Sequence, residues 1–399
     1  MNEKVLRLMH EAEGIHKVRR AANDPVALPK PNQRFVPIPS QFLRPASDLS
    51  LDLKHVVKRS VYNRIVSSKK FVFHIVGDTG GINDDAKVQT ALAELMEKQI
   101  ATVDDSDQPS LFYHLGDVVY YNGITLDYPQ QFDEPYKHYP AKIVAIPGNH
   151  DGQISVMKGD KPDHEASLLG FMQNFCDKKQ QYSGYSSYRK TMNQPWPYWT
   201  LNAPFITIIG LYSNIDGSLD DKNDTTQYRW LVSELKKVPE EKCLVIAVHH
   251  PCYSLDTSHG GYPLILKTLD DAFDESRRMP HAVFSGHVHN YQRFTRKRGD
   301  KHIAYVNAGA GGYACNAQVM HNLYHDPKTG KQIKTPYATA NKEVTLEKYQ
   351  QKNPGFLRIT ADENFLRGEY YIGTFDGSKP PAKAFDSFKI DLKKGKITT

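Results

Sequence analysis

The chain has 399 residues, with 51 Lys+Arg against 45 Asp+Glu, a formal charge of +6 and a pI near 8.8. This is length enough for one large α/β domain or two ordinary ones, and the mild basic bias suits a small phosphorylated substrate while falling short of a nucleic-acid-binding patch. No apolar run approaches the ~18 residues that read as a membrane span.

Met1 to Arg20 is charged throughout and lacks an apolar signal core, so a cytoplasmic location is expected. Cys176, Cys243, Cys252 and Cys315 show no paired spacing, which fits reduced thiols better than a disulfide framework. Val5, Leu8, Met9 and Ala12 share a helical face, and prolines from Pro25 to Pro45 then interrupt regular structure. Residues 1–69 are therefore expected to be a helix and an extended strap packed on the core of a catalytic domain spanning 70–399.

From Phe71 short apolar strands alternate with amphipathic helices, the pattern of layered α/β architecture. Strands are predicted at Phe71–Val76, Leu111–Leu115, Lys142–Ile146, Phe205–Leu211, Cys243–Val248, His281–Phe284 and His302–Val306. A helix is predicted over Asp84–Ile100, with Val88, Ala91, Leu92 and Leu95 on one face. Another is predicted over Asp224–Val238, with Asp224 as N-cap and Gln227 completing a capping-box-like pair. Two insertions interrupt the series. Residues 152–200 hold a short helix around Glu165–Phe175 and an aromatic run (Tyr182, Tyr185, Tyr188, Trp196, Tyr198, Trp199), either a lid or an anchor; residues 313–354 are polar and loop-like. Phe356 to Leu392 reads as consecutive strands.

Chemistry-bearing side chains gather where strands end. Gly77-Asp78-Thr79-Gly80-Gly81 follows the first, Gly116-Asp117-Val118-Val119-Tyr120 the second, and Pro147-Gly148-Asn149-His150-Asp151 the third. His249-His250-Pro251 and Gly286-His287-Val288-His289 follow two later ones. Loops beyond strand carboxyl ends converge on one crevice in an open α/β sheet, so these segments should meet. Their Asp, Asn, His and Tyr donors match the needs of two ions ~3.5–4 Å apart, one carboxylate bridging. Cysteine is absent from them, which argues against structural zinc; Cys252, beside His249-His250-Pro251, reads as a packing residue. The first loop lacks the G-x-G-x-x-G spacing of a dinucleotide site, and Gly309-Ala310-Gly311-Gly312 reads as a tight turn.

The order D-x-G, G-D-x-x-Y, G-N-H-D, strand-final His with Pro two residues on, and G-H-x-H resembles the calcineurin-like metallophosphoesterase superfamily. The longer block Gly286-His287-Val288-His289-Asn290-Tyr291-Gln292-Arg293, with Tyr120, is similar to its purple acid phosphatase branch, and the likeness covers about Phe71 to Ala310. It implies a four-layer α/β/β/α sandwich with mixed sheets and a binuclear metal site at strand carboxyl ends. By that resemblance Asp78, Asp117, Tyr120 and His289 hold a first metal. Asp117 bridges to a second, completed by Asn149, His249 and His287. His150 matches the position that contacts phosphate or protonates the leaving group, and His259 the place of a further substrate-facing histidine. A phenolate donor favours a hard trivalent ion, so Fe(III) is expected first and Fe(II), Zn(II) or Mn(II) second. The activity implied is phosphomonoester hydrolysis by in-line attack of a metal-bound hydroxide. Phosphodiester hydrolysis is the alternative, and a non-catalytic scaffold is disfavoured because every ligand-type position is filled. The first 69 residues do not resemble the β-sandwich preceding the catalytic domain in some relatives.

Overall fold

The computed structural model describes residues 25, 36–45, 48–81, 86–153, 165–215, 219–220, 225–313, 320–375 and 383–398. Short apolar runs bounded by turn residues become strands buried on both faces, as the middle of a layered α/β protein requires. Lys70–Val76, Leu111–His114 and Lys142–Ala145 lie parallel, and Gly355–Asp362, Phe365–Ile372, Asp386–Asp391 and Lys396–Thr398 extend them antiparallel into a seven-stranded sheet. Among the described residues the second sheet has nine strands. Ile206–Leu211, Cys243–Val248, Ala282–Ser285 and Lys301–Ala308 run parallel at its centre, and Ser50–Asp52 enters its edge beside Trp199–Asn202.

Inner faces of the two sheets meet in one core. Tyr113 stacks on Trp199 across the interface at 6.2 Å, and Tyr291 on Tyr370 at 3.9 Å. Helices Thr226–Lys237 and Pro263–Ser276 are successive crossovers of the nine-stranded sheet and touch each other. Right-handed crossovers place both on one outer face. Lys87–Thr102 is the first crossover of the other sheet, burying Val88, Ala91, Leu92 and Leu95. The mixed α/β sandwich expected from sequence is the fold observed, with the parallel strands of both sheets delivering their loops to the site.

Several elements differ from the sequence reading. The helix expected from Asp224 runs Thr226–Lys237 without a side-chain cap. Gln227 turns inward instead, accepting the Tyr212 N–H at 2.8 Å and donating to the Tyr212 and Leu219 carbonyls. Helix Pro263–Ser276, with Pro263 in the first turn and Ile265, Leu269, Ala272 and Phe273 buried, was not anticipated. Tyr291–Arg298, read as the tail of a motif, is a strand, and the polar stretch 313–354 contains strand Val344–Gln350. The aromatic insertion divides in two. Trp196, Tyr198 and Trp199 are buried anchors, Trp199 Nε1 donating to the Ala145 carbonyl at 3.1 Å, whereas Tyr182, Tyr185 and Tyr188 are exposed on the hairpin Tyr182–Lys190. The helical face at Val5–Ala12, Asp224 and Cys315 lie outside the described residues.

Arg293 owes its place to the sandwich. Its Nε and Nη2 donate to the Asp386 carboxylate at 2.7 and 3.0 Å, and the Tyr291 hydroxyl donates to the same group at 2.7 Å, tying the G-H-x-H strand to the opposite sheet. Removing one partner leaves an uncompensated buried charge, which costs about 3–5 kcal/mol. Arg293→Met is therefore expected to lower the denaturant midpoint sharply, and a second change, Asp386→Leu, to recover most of the loss. An unaltered midpoint for the single variant would show that the pair contributes nothing.

Candidate metal centre

Five strand ends deliver the site, and the backbone there is held in unusual conformations. Asp78, Asp117 and His287 have φ of +59°, +52° and +66°, the left-handed region that non-glycine residues rarely adopt. Such conformations persist only where the surroundings over-determine them, and they cluster at functional sites. The Asp117 carboxylate lies so close to the following loop that a methyl group on Gly148 would overlap Oδ1, which makes glycine obligatory there.

The side chains gather into two groups sharing one member. In the first, the Tyr120 hydroxyl lies 3.2 Å from Asp78 Oδ1, 3.1 Å from Asp117 Oδ2 and 3.3 Å from His289 Nε2, and His289 Nε2 is 3.6 Å from Asp78 Oδ1. In the second, His249 Nε2 lies 3.2 Å from Asp117 Oδ2 and 3.2 Å from Asn149 Oδ1, and His287 Nδ1 is 2.9 Å from Asn149 Oδ1. Asp117 Oδ2 thus faces both groups. All seven residues named from sequence as ligands meet here, and Asp117, His249 and His287 place ligand atoms within 4.8 Å of one another.

Fixed partners set which nitrogen of each ring faces inward. The Leu115 carbonyl accepts from His249 Nδ1 at 2.8 Å, leaving Nε2 to face Asp117 and Asn149. Tyr262 Oη is 2.8 Å from His287 Nε2, leaving Nδ1 to face Asn149. Hydrogen-bonded outer nitrogens of this kind orient imidazole ligands and raise their basicity. Gln131 fixes Tyr120 by accepting its N–H at 2.8 Å and donating to its carbonyl at 2.5 Å.

The protein's own charges conflict at this point. Burial lifts the Asp78 carboxyl well above its usual range against the pull of His249, and Asp117 adds like-charge repulsion. Burial also works against ionised Asp117, yet His249 and His150 hold it below the usual carboxylate range. Burial disfavours a charged His249, but the Asp117 and Asp78 carboxylates raise it to about 9. His287 is pushed the other way, first by burial and then by His259 and His250. Buried carboxylates and imidazoles crowded so closely supply oxygen and nitrogen donors to cations that would relieve the conflict, so the residues present fit two metal ions.

His150 donates its backbone N–H to Asp117 Oδ1 at 2.8 Å, while its ring Nδ1 lies 3.0 Å from the Tyr121 carbonyl and its ring packs 4.5 Å from Tyr120. The His259 ring stacks on His287 at 4.2 Å. Both sequence-named histidines therefore border the two groups. Asp151, inside the third motif, has a structural task that its sequence position does not announce. It accepts the N–H groups of Gly148 at 2.8 Å and Val118 at 3.0 Å, joining two site loops, and burial with Asp117 repulsion pushes its carboxyl up to about 7. Tyr262, Tyr313 and His321 also border the site, although they lie outside the sequence motifs.

Comparison with known proteins agrees with this geometry. The model of the calcineurin-like phosphoesterase family matches residues 71–291, more than half of the chain and all five strand-end loops. The chain belongs to the calcineurin-like phosphoesterase family. A probable purple acid phosphatase 20 of Arabidopsis thaliana is 30% identical to this chain over 159 residues, 36% of this chain and 35% of the relative. Among solved structures, a purple acid phosphatase from yellow lupin (Lupinus luteus) seeds shares the fold with a TM-score of 0.55 and 17% identity, over 81% of this chain and 54% of that one. GAP50, the anchor in the inner membrane complex of Plasmodium, superposes with a TM-score of 0.53 and 13% identity, over 82% of this chain and 90% of its own. The match thus spans about a third of that curated relative and about half of the lupin chain. Among the described residues no helix is long and apolar enough to cross a membrane.

Proposed function

We propose that this chain is a binuclear-metal phosphatase of purple acid phosphatase type, hydrolysing phosphomonoesters of small molecules. The observation that carries this reading is the placement of Asp117 Oδ2, 3.1 Å from the Tyr120 hydroxyl in one donor group and 3.2 Å from His249 Nε2 in the other. Asp78, Asp117, Tyr120 and His289 would hold one ion, and Asp117, Asn149, His249 and His287 the other. Paired cations neutralise phosphate oxygens and lower the pKa of water to near neutrality. The chain's own residues do the rest. His150 stands beside Asp117 to hand a proton to the departing alkoxide, His259 faces the substrate from above His287, and Asp151 keeps the Gly148 and Val118 loops in register.

Tyr120 as a phenolate favours Fe(III) at the first position, and the neutral histidine and asparagine donors suit Fe(II), Zn(II) or Mn(II) at the second. Tyr120→Phe is expected to abolish visible charge-transfer absorption; an unchanged spectrum would contradict phenolate ligation. Comparing 4-nitrophenyl phosphate with bis(4-nitrophenyl) phosphate tests the substrate class. Faster turnover of the monoester is expected, faster turnover of the diester would move the reading to a phosphodiesterase, and retained metal with neither hydrolysed would favour a scaffold.

A further inference from the structure

His321 lies in the polar stretch after Tyr313, outside every segment singled out as chemistry-bearing, yet it closes on the G-H-x-H loop. Its backbone N–H donates to the His289 carbonyl at 3.2 Å, and its ring Nδ1 accepts the His289 N–H at 3.2 Å. Asn290 Nδ2 donates to the His321 carbonyl at 2.8 Å. The ring stacks on His289 with centroids 4.3 Å apart and planes at 22°, and stands nearly perpendicular to His259 at 4.6 Å. The flanking residues are laced to the loop that carries His259. Thr257 N–H donates to the Asn322 carbonyl at 2.7 Å, Tyr324 N–H to the Leu255 carbonyl at 2.9 Å, and His259 N–H to Asp256 Oδ1 at 2.7 Å.

We infer that His321 is a positioning residue that sets the His289 and His259 rings relative to each other. His249 and His287 are each aimed by a hydrogen bond on the outer nitrogen, to Leu115 and Tyr262. At His289 the ring is held by His321 stacked on it and Tyr313 edge-on at 4.6 Å, and the backbone N–H by His321 Nδ1. Because Nδ1 accepts an N–H, the neutral ring carries its proton on Nε2, so one imidazole supplies acceptor, stacking surface and donor. Residues 321–324 thereby become part of the site's frame, bracing the His259 loop against the metal-binding loop.

The inference rests on the two-ion reading for its consequence, and the test separates the two. In the metal-stripped, histidine-labelled full chain, His321→Ala is expected to shift or broaden the ring resonances of both His289 and His259. In the same variant, Zn(II) affinity measured by chelator competition should fall about 10- to 100-fold, the usual effect of losing a residue that orients a ligand. His321→Asn keeps an acceptor near the Nδ1 position and should recover part of the affinity, whereas His321→Phe keeps only the stacked ring and should recover less. Unchanged His289 and His259 resonances in folded His321→Ala would overturn the inference, as would equal Zn(II) affinity in wild type and variant. Resonances that respond while the wild type takes up no Zn(II) would uphold the positioning role and remove the two-ion reading instead.

Discussion

Asp117→Asn is expected to lose both metal ions and to lower kcat/KM for an aryl phosphate by more than about 10³, beyond the loss from removing one electrostatic stabiliser. The reason is geometric. Oδ2 is the atom within 3.2 Å of both Tyr120 and His249, so an amide there presents a neutral dipole to two positions at once. Oδ1 accepts the His150 N–H at 2.8 Å, a bond that asparagine can keep through its own oxygen, so the loop should hold its shape. Elemental analysis of the folded variant gives the readout, and a full metal complement would show that Asp117 is not shared.

His150→Ala is expected to do the reverse. Metal content should stay at the wild-type level while kcat falls by roughly 10² to 10⁴, the range for one acid–base group. The hydrogen bond of this residue to the donor groups runs from its backbone N–H to Asp117 and is retained by alanine, whereas the ring packs on the Tyr120 face and lies against the Tyr121 carbonyl. Metal lost with the ring would make His150 part of the ligand frame and leave the proton without a named donor.

The donor groups were legible in the sequence because each comes from a loop that follows a buried strand, and strand ends on one edge of a sheet must converge. Asp78, Asp117, Asn149, His249 and His287 therefore announce themselves by position as well as by type. His321 does not. Its place beside His289 is created by pairing between residues 322–324 and 255–257, a contact between two irregular segments that no periodicity encodes. Tyr262 was hidden for a related reason. It precedes a helix whose start is masked by the glycine- and proline-rich residues after His259, and its hydroxyl reaches His287 only once that helix is docked. Gln227 shows the limit of capping rules: a glutamine at the right spacing found unpaired backbone groups at Tyr212 and Leu219 and turned inward. Arg293 closes the block that carries the likeness to the purple acid phosphatase branch, and its partner Asp386 lies in the other sheet, so the block's last residue ties the two layers together.

The most direct test of the shared-carboxylate account is metal stoichiometry before and after chelation, with hydrolysis of 4-nitrophenyl phosphate followed on the same samples. Two ions per folded wild-type chain are predicted, with activity lost on stripping and restored when metal is returned, and neither ion retained by Asp117→Asn. Full activity in stripped protein, or one tightly held ion that survives loss of Asp117, would contradict it.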